Sequence, residues 1–276
     1  AIHVDPVEKE PLYHFLPGSE ILCIGTAGCN YRCKHCQNWH LSQRPIEDME
    51  IVYDLSPEKA VEMAAGKKIP TISFTYNDPI AFYECVYDIA RKAKEKNIRI
   101  IWHSNGSLNP RPLKELLKYT DAVTIDLKGF SKKAYENSGA EIAPVLRSLK
   151  IIKESGTWLE IVNLVIPSIN DDPGEIRNMC QWIRENLGLD IPLHFSRFFL
   201  SYKLVNLPPT PISTLENAYA IAKDEGLNYV SIGNVPGHKQ NSTFCPDLCL
   251  QGAVEKAGLS GQRQRTLIDM MSFPWS

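Results

Sequence analysis

Three of the chain's eight cysteines, Cys29, Cys33 and Cys36, fall close together in a loop rich in Gly, Asn and Lys, GTAGCNYRCKHCQNWHLSQ over 25–43. The spacing Cys-x3-Cys-x2-Cys offers three thiolates to one centre. Structural zinc closes its tetrahedron with four protein ligands, so a zinc site here needs His35 or His40 as the fourth. A cubane [4Fe–4S] cluster has four irons, so three thiolates leave one iron open. That iron suits chelation by a small molecule carrying an amine and a carboxylate. A purely structural role for all three fits the loop poorly, because it is polar and has no helix or strand period. The metal readings differ in content: iron with acid-labile sulfide in one, zinc in the other.

Such a loop has to be held by a scaffold. Short runs rich in β-branched and aromatic residues recur along the chain: 21–25, 71–76, 98–103, 122–127, 158–166, 191–196 and 227–233. Each is dense enough to be a buried parallel strand. Helical stretches lie between them, several opening on a cap followed by proline: Ser56-Pro57, Asp78-Pro79 (running to about Asn97), Asn109-Pro110, Asp172-Pro173 and Thr210-Pro211. This alternation predicts an α/β fold, a partial or near-complete (β/α) TIM-like barrel of parallel strands with right-handed crossovers. No linker interrupts it. One barrel domain is expected over 1–240, with a C-terminal extension, 241–276, packed on it.

In such a barrel the chemistry sits at the C-terminal ends of the strands. The polar signals of this chain fall there: the cysteine loop, Tyr76-Asn77-Asp78-Pro79, His103-Ser104-Asn105-Gly106, Asp126-Leu127-Lys128, His194 with Arg197, and Gly233-Asn234-Val235-Pro236-Gly237. Each alone is ordinary turn or cap chemistry; their shared placement gives them weight.

Bulk properties narrow the class. The chain has 276 residues, 43% of them hydrophobic and 22% charged, with a formal charge of −2. That is a normal folded composition, and it gives no electrostatic reason to expect nucleic acid or an acidic membrane as partner. No run reaches a membrane span and no signal-peptide pattern opens the sequence. The irregular cysteines do not read as a disulfide framework. A cytoplasmic protein is expected, with Cys23, Cys85 and Cys180 as packed thiols.

With these motifs in order, the cysteine loop resembles the signature of the radical S-adenosylmethionine (radical SAM) superfamily. In that superfamily the open iron binds the amino and carboxylate groups of S-adenosyl-L-methionine (SAM), and reductive cleavage gives a 5′-deoxyadenosyl radical that abstracts hydrogen. The resemblance implies Cys29, Cys33 and Cys36 as cluster ligands. It places His35 where an aromatic ring packs near the adenine. Thr75-Tyr76-Asn77-Asp78-Pro79 stands where relatives carry Gly-Gly-Glu-Pro, so Asn77 and Asp78 would accept from the SAM ammonium. Ser104-Asn105-Gly106 and Asp126-Leu127-Lys128 are similar to segments of the pyruvate formate-lyase activating enzyme. By that likeness Ser104 and Asn105 line the ribose or methionine, Lys128 pairs with the SAM carboxylate, and Asp126 lies close to the sulfonium. His103 replaces an Asp of that enzyme, a departure that disfavours a bound monovalent cation. Arg197 stands where a residue near the adenine is expected and offers a planar cation for stacking. His194 reads better as a satisfied core histidine.

The run HVDPVEKEPLYHFLPGS, the cysteine loop, FTYNDP, IDLKGF, PVLRSLK, LVIPSINDD, SRF and GNVPGH together resemble one subgroup, the AmmeMemoRadiSam system radical SAM enzymes, from residue 3 to about 249. The subgroup's name implies association with Memo-like and AMMECR-like proteins. The resemblance implies an oxidoreductase that needs an electron donor such as flavodoxin or ferredoxin. Its substrate is either a glycine of a protein, as in glycyl-radical activation, or a small molecule. Cys245 and Cys249 stand where members carry Cys-Pro-x-Cys; with His238 they make a metal or redox pair, or else they are thiols at a helix start. A zinc-binding module and an electron-transfer protein are the non-catalytic alternatives.

Overall fold

The computed structural model describes residues 1–50 and 53–243; Cys245, Cys249 and the rest of the C-terminal extension lie outside the described residues. Eight strands form one sheet in sequence order: β1 (Ile2–Pro6), β2 (Glu20–Ile24), β3 (Thr71–Phe74), β4 (Arg99–Ser104), β5 (Ala122–Asp126), β6 (Trp158–Val165), β7 (Leu193–Arg197) and β8 (Val230–Gly233). β2 to β8 are mutually parallel, and they are the seven strands expected from the sequence. β1 was not expected. It pairs antiparallel with β2, and β8 does not return to β1, so the barrel stays open.

Helices cover the outside: α1 (Trp39–Ser42), α2 (Pro57–Gly66), α3 (Tyr83–Glu95), α4 (Pro110–Leu117), α5 (Lys132–Glu136), α6 (Ile142–Ser155), α7 (Pro173–Asn186) and α8 (Ile212–Asp224). The cap-proline signals mostly act as physical chemistry demands. Ser56 Oγ accepts from Lys59 N, and Asp172 Oδ1 accepts from Glu175 N. Asp78-Pro79 opens a 3-10 turn, Pro79–Phe82, before α3. Thr210 is not a cap: its hydroxyl donates to Val165 O and accepts from Phe198 N, pinning the loop after β7 to the end of β6.

The strands alternate in a way that shapes the lumen. Ile72, Phe74, Val123, Ile125, Ile161, Leu193 and Phe195 belong to the main apolar core with residues of the covering helices. Thr71, Ser73, Thr124, Glu160, His194, Ser196 and Ser231, on the other face, are buried and polar. A barrel with an apolar outside and a polar inside leaves donors and acceptors facing its cavity.

β1 descends to the N-terminal end of the barrel, Pro6 standing opposite Glu20. Residues 7–19 then cross that end. Val7 and Leu12 pack on Ile21, Cys23, Ile101 and Ala122, and the backbone N–H groups of Tyr13 and His14 donate to Glu160. The barrel is thereby floored by its own N-terminal segment.

Candidate active site

The cysteine loop leaves β2 through Gly25, where a Cβ would meet Thr75 O at 2.6 Å. Only glycine permits this approach of β2 to the loop after β3. Asn77 then ties the two loops together: its Oδ1 accepts from Thr26 N at 3.1 Å and its Nδ2 donates to Gly28 O at 2.8 Å. Farther along, Arg32 N donates to Ser138 O and Lys34 N to Asn137 O, so the segment after α5 braces the middle of the loop. Ser201 Oγ donates to Cys36 O and Lys203 N to Lys34 O, bracing its end. The loop is irregular, yet its backbone is held from three sides.

All three thiols are free and face one cavity of about 860 Å³ at the C-terminal ends of the strands. Cys33 is 8% exposed, Cys29 and Cys36 more so. Burial pushes the Cys29 thiol up to about 11, with Asp78 adding to the effect. Burial raises Cys33 too, against the pull of the Lys128 ammonium. Three thiolates on one cavity are one short of a closed zinc tetrahedron, whereas a cubane cluster takes three and keeps one iron open.

The cavity wall beside the loop is organised by Asp78, 3% exposed. Its Oδ2 accepts from Ser104 Oγ at 3.0 Å and Asn105 N at 2.7 Å, and its Oδ1 accepts from Ile80 N at 3.1 Å. Asn105 Nδ2 reaches on to Asn30 Oδ1 at 2.7 Å, coupling this wall to the cysteine loop. Asn77 and Asp78 therefore spend their side-chain oxygens on the chain itself. Tyr76 holds φ +72°, the left-handed conformation that the Gly-Gly pattern adopts freely, and its hydroxyl is anchored on Asp5 Oδ2 at 2.5 Å.

Across the cavity Lys128 Nζ donates to Asp126 Oδ2 at 2.6 Å, and His103 Nε2 lies 3.3 Å from Asp126 Oδ1. Burial opposes ionisation of Asp126, but Lys128 and His103 outweigh it and hold the carboxyl well below its usual range. His103 also faces Glu10 of the floor, at 3.6 Å. Asn170 Nδ2 donates to Lys128 O, and Asn163 Nδ2 to Leu127 O, fixing the backbone that carries Lys128. His35, 5% exposed, accepts or shares a hydrogen bond from Asn137 Nδ2 at 3.0 Å; burial, then Lys128, pull its pKa down to about 3, so the ring is neutral.

The cavity thus gathers Cys29, Cys33, Cys36, His35, Asn77, Asp78, Ser104, Asn105, Asp126 and Lys128. It does not gather Arg197. That guanidinium donates to Thr210 O at 2.8 Å and lies over Phe199, itself at the cavity wall. His194 is fully buried with both ring nitrogens engaged, as expected of a core histidine. Glu10, Asn137, Asn163 and Asn170 escaped the sequence reading as site-supporting residues. Glu10 and Asn137 carry no local signal, whereas Asn163 and Asn170 lie in or beside LVIPSINDD, which had been singled out without a role.

Residues 23–180 match the Radical SAM superfamily. An uncharacterized protein of Methanocaldococcus jannaschii is 43% identical over 251 residues, covering 90% of this chain and 73% of that one. The pyruvate formate-lyase-activating enzyme of Clostridium pasteurianum is 23% identical over 192 residues, 64% of this chain and 79% of the enzyme. Among solved structures, a radical SAM methyltransferase from Sphaerobacter thermophilus superposes with a TM-score of 0.60 at 13% identity, covering 79% of this chain and 67% of that one, a likeness of fold.

Proposed function

The chain belongs to the Radical SAM superfamily, whose cofactors are SAM and a [4Fe–4S] cluster, and on that premise we propose that Cys29, Cys33 and Cys36 hold the cluster and the cavity beside them binds SAM. One observation carries the assignment: three free thiols share a cavity with every polar residue expected to meet SAM except Arg197. When bound, the pair supplies reductive cleavage of SAM and a 5′-deoxyadenosyl radical for hydrogen abstraction.

The chain's own residues bind, orient and enclose. Lys128 presents the ammonium for a carboxylate, and Asp126 keeps it aimed inward. Asp78 acts through Ser104 and Asn105, setting the wall that ribose or methionine would touch. Neutral His35 offers a flat ring without a competing charge. Backbone carbonyls of the 75–78 loop are left for the ammonium, since Asn77 and Asp78 side chains are engaged elsewhere. The floor of residues 7–19 closes the far end against water.

The finer reading is hydrogen abstraction of the glycyl-radical-activating kind. It draws its support from the similarity to the Clostridium enzyme and from the motifs around Ser104 and Lys128. The test is anaerobic: reconstitute with iron and sulfide, reduce, add SAM, and assay 5′-deoxyadenosine and methionine. Product establishes the radical chemistry, and deuterium carried into 5′-deoxyadenosine from an α-deuterated glycyl peptide would establish the finer reading. An intact, reducible cluster that yields no product refutes the assignment, as does zinc bound in place of iron.

A further inference from the structure

At the barrel end opposite the cysteine loop, the Glu160 side chain is 0% exposed. Its Oε2 lies 2.6 Å from His194 Nε2 and 3.1 Å from His14 Nδ1. Among the described residues no lysine or arginine pairs with it. Burying a carboxylate with no formal cation beside it is costly, and a bound cation is one way to offset that cost.

The outer contacts of the three side chains fit a bound cation. His194 Nδ1 lies 2.7 Å from Ser231 Oγ, and His14 Nε2 lies 2.6 Å from Thr243 Oγ1. The carboxylate accepts from the backbone N–H of Tyr13 and His14 and from Trp158 Nε1, at 2.9 to 3.0 Å. Each imidazole therefore turns one nitrogen to the shared centre and has the other held by a hydroxyl, and the carboxylate is steered by amides. Outer partners of this kind fix the tautomer and aim of metal-ligating histidines and carboxylates.

We propose that His14 Nδ1, Glu160 Oε2 and His194 Nε2 form a second metal site, for one zinc or other first-row divalent cation, separate from the cysteine loop. The three atoms already lie within 4.8 Å of one another. A two-histidine, one-carboxylate set is a donor set such cations take, with a water completing the sphere. Bonds of about 2.0–2.2 Å at a tetrahedral angle set ligand atoms about 3.4 Å apart, so the closest pair, now 2.6 Å apart, must part by about 0.8 Å. Both rings then stay neutral, each donating its outer N–H to Ser231 or Thr243, and the dication offsets the buried charge. The metal joins residue 14 of the floor to β6 and β7, so its role is to lock the floor of the barrel shut.

The test uses the full chain with Cys29, Cys33 and Cys36 changed to Ala, which removes the cluster ligands. Elemental analysis after dialysis is expected to find about one equivalent of zinc or iron. Cobalt(II) in its place should give d–d bands without thiolate charge-transfer bands. Glu160→Gln and the partly exposed His14→Gln should each lose the metal at least tenfold. Should either variant fail to fold, chelator treatment of the cysteine variant is the second measurement, expected to lower its unfolding midpoint and free the floor amides to exchange. Absence of stoichiometric metal together with a featureless cobalt titration overturns the site. So does a cobalt spectrum that shows thiolate bands and is unchanged by Glu160→Gln, which would put the metal on cysteines elsewhere.

Discussion

The two ends of the barrel are built on opposite principles. At the C-terminal end, each functional side chain sits on a short loop directly after its strand: Cys29 to Cys36 after β2, Asp78 after β3, Ser104 and Asn105 at the end of β4, Lys128 after β5. At the floor, the decisive contacts join residues far apart in the chain: Tyr13 and His14 to Glu160, a separation of 146 and more, and His194 to Glu160. The first end is local chemistry on a scaffold. The second exists only once the scaffold has closed. Loss of a ligand at the mouth should remove function and leave the fold, whereas loss of a partner at the floor should damage the fold and function together.

The largest effect is expected at the mouth. Cys33→Ala should abolish cluster assembly and 5′-deoxyadenosine formation while the circular dichroism spectrum stays that of the parent. Iron and sulfide retained at the parental level would end the three-thiolate assignment. At the floor, Glu160→Ala leaves two backbone N–H groups and the Trp158 Nε1–H without their acceptor and two imidazoles without their shared partner. Breaking a buried charged network in this way costs about 3–5 kcal/mol. Denaturant unfolding measures it, and a loss below about 1 kcal/mol would show that the floor does not depend on Glu160. The comparison sharpens if the order of effects reverses between assays: Cys33→Ala severe for activity and mild for stability, Glu160→Ala severe for stability.

Lys128→Ala is a smaller perturbation of the mouth. A charge-assisted hydrogen bond is worth about 1.5–3 kcal/mol, so SAM affinity should fall roughly 10- to 100-fold with the cluster intact. An unchanged affinity in the reconstituted protein would take Lys128 out of the site.

The same contrast explains what could be read from the sequence. The seven parallel strands were legible because each is a short, dense apolar run between capped helices, and buried parallel strands leave that pattern. The cysteine loop was legible because its three cysteines are neighbours in sequence, and they do face one cavity. β1 was missed because IHVDP is half-exposed and too polar to register as a strand. The likeness to activating enzymes puts Arg197 near the adenine, but which face of β7 carries it and its bond to the carbonyl of Thr210 are settled only in the fold. Asn77 and Asp78 were read as ligands for an ammonium. Their type was informative, but which atoms were already spent on Thr26, Gly28, Ser104 and Asn105 is a tertiary matter. Glu160 and His14 carried no local pattern at all.

His103 lies between the two ends, facing Asp126 above and Glu10 below, and it offers the mildest test of how they are coupled. Burial works against its charge, but Asp126 and then Glu10 prevail and push its pKa up to about 10 from an ordinary 6.5. A raised folded-state pKa means that the folded protein binds the extra proton in the interval where the unfolded chain has released it. The stabilisation is therefore complete below pH 6.5 and is lost as pH rises through about 10. Over that interval Asp126 remains ionised and Lys128, whose pKa is also raised, remains protonated, so neither titrates in the window. The difference in unfolding free energy between the parent and His103→Gln, which keeps a donor but cannot be charged, should shrink steadily from pH 6.5 to 10. A difference that stays flat across this range would mean that the ring is neutral in the folded protein and carries no charge between the mouth and the floor.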